Sequence, residues 1–225
     1  MHHKNTGSHA HYSMSETLFS SLESQADWAR VLTGVGEFLL LGALVLMVPA
    51  VVYFDVAVLG NSVGEISATE IAQELLVLMT AAIFGYKAFR EPRSRGFLVL
   101  VAGFFSVILI RELDSFLDAV VHGFWVWPAT AAALSAIFMA KVPFKGTVLR
   151  PMADYVGTKP YYFMVIGLVT LLFFSRVFGS GNLLWGHLLG DAYTSGFKAG
   201  LQEGLELLGY ILIGYSAVLF SRSRS

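Results

Sequence analysis

Along the chain, apolar positions come in long runs separated by short breaks rich in turn formers. A helix needs about 20 predominantly apolar residues to cross the hydrocarbon core of a bilayer. Six runs meet that length: roughly 30–54, 69–87, 96–118, 124–142, 160–178 and 198–220. Between them lie VLGNSVGE, REPRSRG, HGFWVWP, PFKGTVLRP and GSGNLLWG. Pro128 and Pro160 fall at or near the first turns of the fourth and fifth runs, where a missing N–H costs little. Trp125, Trp127, Tyr161 and Tyr162 flank run ends, as interfacial aromatics do. The pattern predicts an all-α integral membrane protein: one domain over residues 14–225, a bundle of six transmembrane helices.

Lysine and arginine give the bundle an orientation. They cluster in the break after the second run (Lys87, Arg90, Arg93, Arg95) and after the fourth (Lys141, Lys145, Arg150, Lys159). Arg222 and Arg224 follow the sixth run, whereas the breaks after the first, third and fifth hold none until Lys198. By the positive-inside rule, both termini are predicted to face the cytoplasm of a bacterial inner (plasma) membrane. Segment 143–158 is too short and polar to cross, and is expected along the inner face.

Composition agrees with that solvent. The 225 residues are 56% hydrophobic and 14% charged, against about a quarter charged in soluble domains. The absence of Cys excludes disulfides, thiolate metal sites and a Cys nucleophile. A net charge of −1 gives no footprint for nucleic acid, so membrane lipids are the implied partner. The first thirteen residues, MHHKNTGSHAHYS, hold four of the six His and read as a tag or disordered leader. Nothing there resembles a cleavable signal, because the first apolar run starts near residue 31 and is too long for one.

The third run changes the picture. It flows into RELDSFLDAVVH, and charges at membrane depth are costly. On a continuous helix Arg111, Asp114, Asp118 and His122, spaced three, four and four residues apart, form one stripe. With alternating run directions, Glu70, Glu74, Glu112, Asp114, Asp118, Asp191, Glu203 and Glu206 share the outward side. Only Arg111, Arg176 and Lys198 stand there as permanent cations, eight acids against three bases. A bound divalent metal ion, protons or a cationic substrate would balance them.

Each group also has a bland reading. Arg111 with Glu112 or Asp114 fits a clamp that pins one helix to its neighbours. Glu70 and Glu74 follow Thr69 at a helix start, where acids favour the dipole. His187 and Asp191, four apart, read equally as loop residues. Asp118 with His122 suits a hard or borderline metal. Glu203 and Glu206 lie inside an apolar run, where acids are functional by default.

QEGLE, residues 202–206, is similar to the RExxE signature of the iron permeases, and the resemblance implies intramembrane glutamates that carry iron. It departs at Gln202, where that family has Arg, and it covers five residues of 225, so it suggests a chemistry and assigns no family. Gln73-Glu74 precedes Gly85-Tyr86 by the same interval as Gln202-Glu203 precedes Gly214-Tyr215, a match short enough for chance to produce. No GxSxG, HExxH, P-loop or GxGxxG occurs, and only His122 and His187 are available for haem.

The expected site is therefore Asp118, His122, Glu203, Glu206 and Glu112. Arg111, Asp114, Glu70, Glu74, His187, Asp191 and Lys198 support it. It would bind or conduct a cation, either a metal ion or protons. The same set could instead serve a metal-dependent enzyme acting on a lipid or amphiphile at the outer leaflet. A structural or accessory subunit, in a homo-oligomer or larger membrane complex, is the third reading.

Overall fold

A computed structural model describes residues 7–60, 67–190 and 194–223, and among them every regular element is a helix. The principal helices are α1 (Gly7–Tyr53), α2 (Ala68–Arg90), α3 (Arg95–Glu112), α4 (Val126–Lys141), α5 (Leu149–Val156), α6 (Lys159–Phe178) and α7 (Ser195–Arg222). Five helical segments are long and apolar enough to cross a membrane: Ser24–Val58, Ala68–Arg90, Pro92–Glu112, Lys159–Phe178 and Gly196–Arg222. The predicted fourth crossing is a helix of 16 residues, about 24 Å long, against a core of about 30 Å.

The chain divides into two compact units, Met1–Leu46 and Met47–Ser225. The first is helical from Gly7, so the helix begins within the polar leader. Its apolar side chains, Val31, Leu32, Val35, Phe38, Leu39 and Leu40, are exposed all round, which suits a lipid solvent.

In the second unit α2 packs against both α3 and α7, α3 carries α4 on its other side, and α7 carries α6. The order in space is thus α4–α3–α2–α7–α6. Its centre is apolar: Val77 and Phe84 of α2, Leu98 and Phe105 of α3, and Ile213 and Ala217 of α7 are buried together. Phe84 stacks on Phe105 and Phe220 with ring centroids 6.4 and 5.2 Å apart. Where no hydrophobic effect drives helices together, close approach of small residues does. A Cβ on Gly167 of α6 would stand 2.8 Å from the Gly209 carbonyl of α7, so only glycine permits that crossing.

Of three π-turns among the described residues, one closes α1 and one interrupts α6, and each of these two delivers a polar group. At Phe54–Val58 the turn presents Asp55, which is fully buried, to the start of α2. Its carboxylate accepts from Ala68 N at 2.8 Å, Thr69 N at 2.9 Å and the Thr69 hydroxyl at 2.5 Å. At Thr170–Phe174 the second turn immediately precedes Ser175 and Arg176.

One expected continuity fails. The third run was predicted as helix over 96–118, but α3 ends at Glu112, with Leu113 at φ −85°, ψ 17°. A separate turn, Asp114–Leu117, follows. No Gly or Pro lies between Gly103 and Gly123 to announce the break. It cuts the stripe of Arg111, Asp114, Asp118 and His122 in two.

Candidate functional site

The first part of α7 carries Gln202, Glu203, Glu206 and Tyr210 over a little more than two turns of one helix. Three neighbouring helices supply their partners. From α3, Glu112 Oε1 accepts from Arg111 Nη1 at 2.7 Å and from the Tyr210 hydroxyl at 2.9 Å. From α6, Arg176 Nη2 stands 3.5 Å from Glu206 Oε1, which also accepts from Gln202 Nε2 at 3.1 Å. From α2, Gln73 Nε2 donates to Glu203 Oε2 and to the Glu203 carbonyl, both at 3.1 Å. Glu206 is 4% exposed, and Gln73 and Tyr210 are 1% exposed, whereas Glu203 is half-buried and the Arg111 and Arg176 side chains are 42% and 48% exposed, so the network runs from the bundle interior to its surface. The π-turn in α6 places Ser175 beside the same carboxylate, at 3.4 Å. Its single hydroxyl proton also reaches the Leu171 carbonyl, at 2.6 Å, so the two acceptors compete for it.

Three carboxylates from two helices therefore meet two guanidinium groups, each of which serves one of them. Glu112 has Arg111 and Glu206 has Arg176. Glu203 has a neutral amide instead, and the charges of Glu206, Glu112 and Glu70 act on it through space.

The remaining predicted residues fall around this network. Glu74 is half-buried on α2, within electrostatic reach of Glu70 and Glu112. Glu70 lies in the first turn of α2, and its N–H donates to the capping Ser67 hydroxyl at 3.1 Å. Asp114, past the break, is near enough for its charge to act on Arg111. Lys198 is half-buried near the start of α7. Asp118 and His122 do not join the three glutamates. They pair with each other at 3.1 Å, with the His122 side chain fully exposed, and Asp118 Oδ1 finds no hydrogen-bond partner among the described residues. His187 is exposed on the short helix Gly186–Leu189, and Asp191 lies outside the described residues. Among the described residues no three His, Asp or Glu side chains are grouped as a metal ion requires.

Sequence reasoning missed Gln73, Tyr210, Gln202 and Ser175 because none is charged, and it gave Arg176 no partner. A signal for Gln73 was present. Residues 69, 73, 77, 80, 84 and 87 recur at helical spacing and are all buried, so Gln73 lies on the inward face of α2 and Glu74 beside it does not.

Among the described residues the chain is thus all-helical, with five helices long and apolar enough to cross a membrane and a polar network toward one end of its second unit. Comparison with protein-family models, with curated proteins and with solved structures finds no match in any of the three.

Proposed function

We propose that this is a six-span inner-membrane protein, both termini cytoplasmic, whose outward end takes up a cation inside the bundle at Glu203. The single observation that carries the site is the pairing pattern. Glu112 and Glu206 each face an arginine, while Glu203 faces the uncharged Gln73. A carboxylate at membrane depth without a cationic partner calls for a proton or a metal ion. The proton is the better fit, since no set of three ligands forms around it among the described residues. For the sixth crossing, α4 packs along α3, where a Cβ on Gly103 would meet Ala136. Phe144, just past the end of α4, lies 5.3 Å under Arg95 at the start of α3, so α4 returns the chain along the length of its neighbour.

One-sided binding fits better than conduction through the bundle. Between the network and the opposite end lie Val77, Phe84, Leu98, Phe105 and Ile213, each essentially inaccessible. A metal-dependent enzyme would need the ligand set that the described residues lack. The accessory-subunit reading is favoured by one fact, that every carboxylate of the network has at least one protein donor. Glu203→Gln separates the two. Gln mimics the neutral acid, so its thermal stability should stay within about 1 kcal/mol of the parent. Difference potentiometric titration from about pH 10 to about pH 6, above the range of ordinary carboxylates, should show that the parent takes up about one proton per chain more than the variant. Identical proton uptake would leave only the internal network. One metal ion per chain, by elemental analysis, that is lost in the variant would replace the proton by a metal.

A further inference from the structure

The end of the second unit opposite the glutamates carries the reverse charge. Cations outnumber acids there by nine to two: Lys87 and Arg90 at the end of α2, Arg93 and Arg95 just beyond it, four from Lys141 to Lys159, and Arg222 of α7, against Glu91 and Asp154. A cavity of about 980 Å³ opens among these segments, at the upper end of the roughly 300–1,000 Å³ of small-molecule sites. Phe97, Tyr155 and Phe220 give it apolar walls. Lys87, Arg93 and Arg150 supply its positive charge.

Lys87 is the inner anchor. Its side chain is 9% exposed and its ammonium is held 2.7 Å from Glu91 and 4.6 Å above the Phe220 ring. With Lys87 and Glu91 offsetting each other, Arg93 and Arg150 against Asp154 leave the lining with a net positive charge.

The lip of the cavity has a second feature. On α5, Leu149, Met152 and Val156 are exposed at positions i, i+3 and i+7, while Tyr155 is buried against the bundle. A short helix with an outward apolar stripe and an adjacent Arg150 is built to lie at the boundary between headgroups and acyl chains. That places the cavity mouth at headgroup depth.

We propose that this cavity binds the phosphate-bearing headgroup of an anionic membrane lipid, with Arg93 and Arg150 meeting the phosphate and the aromatic walls the glycerol and upper acyl carbons. Basic pockets of this kind between membrane helices on the positive side are suited to such headgroups.

The test uses the full chain in neutral detergent with added dioleoyl phosphatidylglycerol, dioleoyl phosphatidylcholine or glycerol 3-phosphate. Phosphatidylglycerol should raise the melting temperature by roughly 5 °C and phosphatidylcholine should not. The double variant R93Q/R150Q, altered at exposed positions, should lose most of that shift. Lys145→Gln, which removes a cation of the same end outside the cavity, should keep it. Asp154→Asn should lower the lipid concentration needed for half the shift by about threefold, because it removes an anion from the lining. An equal shift with glycerol 3-phosphate would overturn the lipid as source and retain the phosphate. No shift with phosphatidylglycerol, or the same shift in R93Q/R150Q as in the parent, would overturn the proposal.

Discussion

Asp55→Ala is expected to be among the most destabilising single substitutions in the second unit. The Asp55 carboxylate is fully buried and accepts from Ala68 N, Thr69 N and the Thr69 hydroxyl. Alanine would strand all three donors at the start of α2, and an unsatisfied buried donor costs about 1–3 kcal/mol. It would also withdraw a negative charge from the positive end of the helix dipole. A loss of roughly 3–4 kcal/mol follows, allowing for partial relaxation around the site. Asp55→Asn keeps one acceptor oxygen and should cost about half as much. Reversible unfolding in mixed micelles checks the order parent, Asn, Ala. Equal stability of Ala and parent would show that α2 does not start on Asp55. Because Gln73 lies on the second turn of α2, the Ala variant should also loosen the hold on Glu203.

Gly167→Val is the second large effect. A Cβ at Gly167 would stand 2.8 Å from Gly209 O and from Ile213 Cγ1, and 3.1 Å from Ile213 N, two of which are backbone atoms of α7. Neither backbone atom can move without the helix, so α6 must separate from α7. Overpacking of this kind costs about 1–3 kcal/mol, and a branched side chain between two backbones belongs at the upper end. Gly85→Ala is the control, since a Cβ there meets nothing within 4 Å. It should be neutral or stabilising by up to about 1 kcal/mol, because alanine is the better helix former. Thermal melts of the two variants decide the matter, and a Gly167→Val protein as stable as the parent would mean that α6 and α7 do not cross at these glycines. Separation would also carry Arg176, further along α6, away from Glu206.

The long helices were largely legible in the sequence as elements, because hydrocarbon-crossing length is a coarse signal that composition carries well; their limits were less so, since α1 begins at Gly7 and α3 ends at Glu112. α4 was the exception, since its apolar run includes residues that the structure assigns to turns on either side. Of the site, the grouping of Glu112, Glu203, Glu206 and Arg111 at one end was readable from run direction alone. The membership of Asp118 and His122 was not, because their inclusion assumed a helix that continues past Leu113. Asp55 escaped notice for a related reason. It lies in an apolar run beside a break, and its partners are backbone N–H groups 13 and 14 residues on, which leave no side-chain pattern to find. Gln73 and Tyr210 were invisible to a search for charge, although both lie on the buried faces of their helices.

Infrared difference spectroscopy of the protein in lipid, titrated in pH with ¹³C-labelled glutamate, tests the central claim most directly. A protonated carboxylic acid has a carbonyl band separate from that of a carboxylate, and isotope labelling of glutamate shifts it away from lipid esters. One such band is expected in the parent at neutral pH, removed in Glu203→Gln and retained in Asp118→Asn. A parent spectrum with no protonated glutamate, in a protein that also binds no metal, would contradict it.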